Sequence, residues 1–183
     1  IMIDPINVYD DIIPSSVADY FETLIFGTSE SVEINPVIDF KVKREVTAIE
    51  GEFSPVSFKH ILKSSAETSS FLTQFDTVPR LICEHNRIWL KDILAARIFI
   101  TVPYKTESKH MAKHTDFPFK HGVILYYVND ADGDTVFFDD NDNIIAEVTP
   151  KKGRAVLFDG SIMHSGGIPK NGPRCIVNYN IMT

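Results

Sequence analysis

Cysteine is almost missing from this 183-residue chain: Cys83 and Cys175 are the only two, and no metal-type spacing relates them. That excludes a disulfide framework or a zinc knuckle and leaves two buried thiols as the expectation. Long apolar runs are absent too. No segment approaches the roughly 20 consecutive apolar residues a membrane-spanning helix needs. Positive charge is in deficit, with 18 Lys and Arg against 25 Asp and Glu and a net charge of -7. A phosphate-tracking surface depends on clustered cations that release counterions, so no nucleic-acid partner is expected. The opening stretch "IMIDPINVYDD" is acidic and lacks the apolar core of a secretion signal, which makes a cytoplasmic setting the expectation. Repeats, low-complexity tracts and linkers are likewise missing, so residues 1–183 are expected to form one domain.

What is present is a globular composition, 44% hydrophobic with thirteen Phe and six Tyr. Its pattern changes character once, near residue 95. In "SSVADYFETLIFG", residues 15–27, Val17, Tyr20, Phe21, Leu24 and Ile25 share one face at a 3.6-residue period. Ser16 with Asp19 reads as a capping pair and Gly27 as a terminator. A second helical region is expected between 56 and 92, interrupted near Pro79, with Leu81, Ile82, His85, Ile88 and Trp89 on a common face. His85 is expected at the edge of a core. From Arg97 the period shortens to two, and strands are expected at "RIFITVPY", "GVILYYVN", "DTVFFD", "NIIAEV", "RAVLF", "IMHSG" and "RCIVNYNI". Turns such as "NDADGD", "DDNDN" and "KNGP" separate them. The pattern is therefore mainly β, a jelly roll or barrel preceded by flanking N-terminal helices, with residues 1–95 as helical support and 96–183 as the core.

The chemistry concentrates in "KHTDFPFKHGVILYYVND", residues 113–130. His114 and Asp116 are one residue apart, so an extended backbone points both the same way. His164 follows in "GSIMHSGG", where a strand meets a glycine-containing turn. Two imidazoles and a carboxylate on one face of a metal leave the other positions open, the arrangement suited to non-haem Fe(II) oxygen chemistry. Arg174 stands ten residues after His164. A strand arginine aimed into a barrel offers a planar fork for a carboxylate, and without an anionic partner it would be costly to bury.

The segment Arg97–Ile181, through "HTD", "ILYYVND", "GDTVF", "VTPKKGRAVLFDG", "MHSGG" and Arg174 in that order, resembles the catalytic core of the Fe(II)/2-oxoglutarate-dependent oxygenases. It is most similar to the prolyl 4-hydroxylase-like branch with its small bacterial and viral members. The resemblance implies a double-stranded β-helix of the jelly-roll or cupin-like kind. It implies His114, Asp116 and His164 as iron ligands, Arg174 as partner of the far carboxylate of 2-oxoglutarate, and Tyr127 and Tyr104 as further cosubstrate contacts. The implied activity is a dioxygenase that uses Fe(II), 2-oxoglutarate and O2, with ascorbate as an optional accessory, and releases succinate and CO2. The implied product is a hydroxylated prolyl or other side chain of a peptide or protein, with a free small molecule as the alternative substrate. A sensor, or a cupin-like binding module without turnover, is the competing class.

Met111 stands where many prolyl hydroxylases have tyrosine, and "GDTVF" replaces the commoner "GETVF". Substrate choice is assigned to loops 28–56 and 105–113. Other spacings carry less. His110 and His114 lie four apart but Met111 occupies the position where a zinc protease needs Glu. Asp130, Asp132 and Asp134 open like a calcium loop, yet Thr135 stands where such a loop needs Gly and Asn141 where it needs Glu. Lys151, Lys152 and Arg154 are expected at a surface turn, and His110 and His121 at the surface. Nucleic-acid demethylases in the superfamily carry an arginine where this chain has Asn180, and halogenating relatives lack the carboxylate that Asp116 retains.

Overall fold

The computed structural model describes residues 5–27, 38–43 and 55–183. Ten strands form two sheets. Seven make the larger, in the order β1 (Ile6–Tyr9), β8 (Ala155–Asp159), β5 (Gly122–Tyr127), β10 (Arg174–Met182), β4 (Asp92–Thr101), β3 (Ser57–Lys63) and β2 (Lys41–Lys43). The smaller has β7 (Ile144–Val148), β6 (Thr135–Phe138) and β9 (Met163–Gly166). All pairings are antiparallel. The strands expected from Arg97 onward are all present, and the two-sheet arrangement is the jelly roll expected of them. Among the described residues no helix is long and apolar enough to cross a membrane.

Strand alternation divides the core in two. On β5, Ile124 and Tyr126 face one side and Val123, Leu125 and Tyr127 the other. Both faces are covered, so "GVILYY" reads as a continuous apolar run. On β10, Cys175, Val177, Tyr179 and Ile181 join the helix-side cluster, where Phe21 stacks on Phe75 at 4.5 Å and Tyr179 donates its hydroxyl to the Phe75 carbonyl. The opposite positions of β10, Arg174, Ile176, Asn178 and Asn180, face the smaller sheet.

The N-terminal half departs from expectation at several points. Helix α1 spans Ser15–Phe26 and ends at Gly27, whose φ of 77° only glycine adopts cheaply. Pro14 rather than Ser16 precedes it, and no side chain caps it. Its buried stripe is Ala18, Phe21 and Leu24, while Tyr20 is half exposed. Residues 57–63, expected helical, form β3 instead, because "SFKHILK" pairs with β4 on one side and β2 on the other. Helix is confined to α2 (Leu72–Phe75) and α3 (Thr77–His85). Trp89 lies beyond α3 and is exposed, and His85 is an exposed residue whose ring packs edge-on against Tyr9. Strands β1, β2 and β3 thus complete the main sheet, and the N-terminal half is more than a helical preface. Most of the loop expected at 28–56 lies outside the described residues.

Candidate metal and cosubstrate site

The backbone brings the two histidines together. His114 and His164 exchange both N–H···O bonds at 3.0 Å, an isolated bridge that extends the smaller sheet beside β9. Their rings then lie 4.8 Å apart between centroids. Asp116 follows at a bend, with its carboxylate 3.8 Å from His114 Nε2. One ligand atom from each of His114, Asp116 and His164 falls within 4.8 Å of the others, a group that could hold a metal ion.

Second contacts aim the three donors. His114 Nδ1 lies 3.2 Å from the Ala112 carbonyl and His164 Nδ1 lies 3.0 Å from the Ile162 carbonyl. A carbonyl only accepts, so each Nδ1 carries the proton and each Nε2 keeps its lone pair for a metal. On Asp116, Oδ2 accepts from Asn178 at 3.1 Å and from Asn180 at 2.7 Å. Burial works to raise the Asp116 pKa, but the neighbouring His164 and the two amides outweigh it and the pKa is lowered. The donor set is open on one side and mixed nitrogen and oxygen, which fits Fe(II) better than a closed structural zinc.

Burial, reinforced by repulsion from His114, pushes the His164 imidazole down to about 4. An unfolded histidine titrates near ~6.5, so between these values the unfolded chain binds the extra proton. Stability is then fully present above that upper value and is lost as pH falls toward the folded one, by about 3 kcal/mol. Urea unfolding of the metal-free protein at pH 7 and pH 4 should show a larger loss in wild type than in His164→Gln. Equal losses in the two proteins would contradict this.

Beyond the three donors lies a cavity of about 360 Å³ lined by Leu125, Ile176, Thr135 and Arg174 among others. Arg174 is 2% exposed, and no acidic side chain pairs with it among the described residues. Its Nε donates to the Gly133 carbonyl at 2.8 Å and its Nη2 to Thr135 Oγ1 at 2.8 Å. Nη1 has no hydrogen-bond partner among the described residues. A buried guanidinium so arranged calls for an anion in the cavity. Gly167 holds this end together: its N–H donates to the Asp134 carbonyl, and a Cβ there would come within 2.4 Å of the Gly133 backbone.

Tyr127 does not line the cavity. It is fully buried behind Thr135 and donates its hydroxyl to Thr135 Oγ1 at 2.6 Å. Thr135 therefore accepts from both Tyr127 and Arg174, which leaves its own O–H to donate into the cavity. Tyr104 is 49% exposed and is not among the residues around the cavity. His121, expected at the surface, is buried over Gly160, where any side chain would strike the imidazole, and edge-on to Phe117. His110 is half-buried and packs edge-on against Phe138. Thr135, Asn178 and Asn180 were legible only as alternate positions on strands. Polar residues at inward positions of an otherwise apolar β10 are the signal that would have found the two asparagines.

Residues 100–182 match the model of the 2OG-Fe(II) oxygenase superfamily. Over that segment the chain is similar to the core of the Fe(II)/2-oxoglutarate-dependent oxygenases. Solved structures with the same fold include a Pseudomonas putida prolyl-4-hydroxylase, 12% identical, with 97% of this chain and 92% of that one covered at a TM-score of 0.59. A Trichoplax adhaerens prolyl hydroxylase, bound to a peptide fragment of the hypoxia inducible factor oxygen degradation domain, is 12% identical over 97% of this chain and 83% of its own, at 0.65. The α-ketoglutarate-dependent epimerase SnoN of nogalamycin biosynthesis is 15% identical over 98% of this chain and 78% of its own, also at 0.65. No curated protein sequence matches the chain. The matched segment runs from the last residues of β4 through β10, and the coverage of the solved structures extends the likeness of fold through the N-terminal strands.

Proposed function

We propose that this oxygenase binds Fe(II) through His114, Asp116 and His164, holds 2-oxoglutarate on Arg174 and Thr135, and hydroxylates a side chain of a peptide or protein, prolyl or other. The observation that carries the reading is the buried, acid-free Arg174 fork at the far end of the cavity whose near end holds the three donors. When bound, Fe(II) with 2-oxoglutarate and O2 supplies oxidation of a substrate C–H bond to C–OH, with release of succinate and CO2. Asn178 and Asn180 fix the Asp116 carboxylate, and the carbonyls of Ala112 and Ile162 fix the imidazoles. Arg174 and Thr135 orient the cosubstrate carboxylate, while Leu125 and Ile176 keep its path apolar. Tyr127 acts through Thr135, and Tyr104, outside the cavity lining, has no part in this reading.

A peptide substrate is supported by the match to two prolyl hydroxylases along nearly the whole chain. A free small molecule is the second reading, supported by the equal likeness to SnoN. Residues 1–183 act as one domain in this proposal, since β1, β2 and β3 belong to the catalytic sheet. A cytoplasmic setting is in keeping with Cys83 and Cys175 as buried free thiols.

Anaerobic addition of Fe(II) and 2-oxoglutarate should produce a visible charge-transfer band, and turnover with a substrate should yield succinate. Absence of the band in wild type overturns the function; a band with no succinate under any substrate favours the sensor. Thr135→Val should weaken 2-oxoglutarate binding about tenfold through loss of a hydrogen bond to a charged group, with Thr135→Ser close to wild type. Titration of the band reads this, and a Val variant that binds normally removes Thr135 from the site.

A further inference from the structure

Strand register places four cations on the inward face at one side of the cavity. Lys59 of β3 lies opposite Lys41 of β2 and opposite Phe99 of β4, and Arg97 of β4 lies opposite Asn178 of β10. Paired residues share a face, so Lys41, Lys59, Arg97 and Lys43 project to the side that carries Phe99, Ile176 and Arg174. Lys43, Lys59 and Arg97 line the cavity itself. Two lysines directly opposite each other disfavour sheet pairing, so their placement asks for a reason. In a chain of net charge -7 this cluster runs against the overall balance.

Neither Lys59 nor Arg97 forms an ion pair among the described residues. Asp39 and Glu67 share a small cleft with Lys41 and Lys59, but Asp39 turns to His60 at 3.3 Å. Arg97 is fixed by a neutral partner, with Nη1 donating to Asn180 Oδ1 at 3.2 Å. The loaded site does not absorb these charges either: a divalent iron and Arg174 offset Asp116 and the two carboxylates of 2-oxoglutarate. Beside them Asn178, 6% exposed, keeps its Oδ1 without a partner while its amide holds Asp116.

We propose that the cavity selects a substrate bearing a carboxylate, held by Lys59 and Arg97. The inference rests on the oxygenase reading and names the substrate class of that site. An acidic residue within a peptide and a free N-acylamino acid present this chemistry alike. Cations at the mouth of a low-dielectric cleft also draw anions in from solution.

The test is isothermal titration of protein loaded with Mn(II) and saturating 2-oxoglutarate, which occupies Arg174. The probes are Ac-Gly-Glu-Pro-Glu-Gly-NH2 against its Gln counterpart, and N-acetylglycine against N-acetylglycinamide. At least one acidic member should bind about tenfold tighter than its neutral partner, a ratio that falls at high salt. A preference in the peptide pair assigns the carboxylate to a chain, and one in the small pair assigns it to a free acid. Lys59→Gln should cut the ratio about threefold or more, and Arg97→Gln likewise, with Arg97→Lys retaining part of it. If both pairs bind without preference, or if Lys59→Gln leaves the preference whole, the inference is overturned while the charge-transfer band keeps the oxygenase reading. If the wild type gives no such band, both fall.

Discussion

Arg174→Met is expected to raise the dissociation constant of 2-oxoglutarate by 100-fold or more, on the order of 3–5 kcal/mol, while Fe(II) still binds. The guanidinium is buried, has no acidic partner among the described residues, and offers Nη1 to the cavity between fixed bonds to Gly133 and Thr135. Removing it takes away the only buried cation at that end among the described residues, and water cannot enter cheaply to replace it. Methionine keeps most of the volume, so the loss reports on charge and hydrogen bonding rather than on a void. Arg174→Lys should recover little, because a point charge on a flexible stem cannot bond Gly133, Thr135 and a carboxylate at once. Titration of the charge-transfer band with 2-oxoglutarate measures this. A Met variant with wild-type affinity would mean that the cosubstrate lies elsewhere.

Asp116→Asn is expected to lower Fe(II) affinity by about 100-fold, the larger end of what a lost charged ligand and its supporting contacts produce. Two effects add. The negative charge is gone, and the amide nitrogen, if it occupies the Oδ2 position, faces the donors of Asn178 and Asn180. Asn178→Ala or Asn180→Ala should weaken metal binding less, about tenfold, since each removes one of two supports for the same oxygen. Equilibrium dialysis with Fe(II) under anaerobic conditions separates the three variants. Retention of wild-type affinity by Asp116→Asn would rule the carboxylate out as a ligand.

Much of the candidate site was legible in the sequence. Spacing put His114 and Asp116 on one side of an extended segment, and the order of the motifs around His164 and Arg174, shared with a known family, joined the four into one site. Of the inward face of β10 only Arg174 was legible; that Asn178 and Asn180 reach Asp116 depends on cross-strand register. Tyr127 shows why: alternation correctly placed it on the inner face with Val123 and Leu125, yet an inward tyrosine can point into a cavity or bond a neighbour. Thr135, from the adjacent sheet, stands between it and the cavity. Likewise "SFKHILK" has apolar residues that suit either period, and pairing with β4 decides for strand.

The sequence by itself determined the fold class, the identities of the three metal-ligand candidates and the buried arginine, because local periodicity and residue chemistry are properties of the chain alone. Only the tertiary structure decided which nitrogen of each histidine is free, that Asn178 and Asn180 hold Asp116, that Thr135 and not Tyr127 or Tyr104 lines the cavity, and that Lys59 and Arg97 meet there. Those facts depend on cross-strand register between segments far apart in the chain. A shift of one residue would turn each of these side chains to the opposite face.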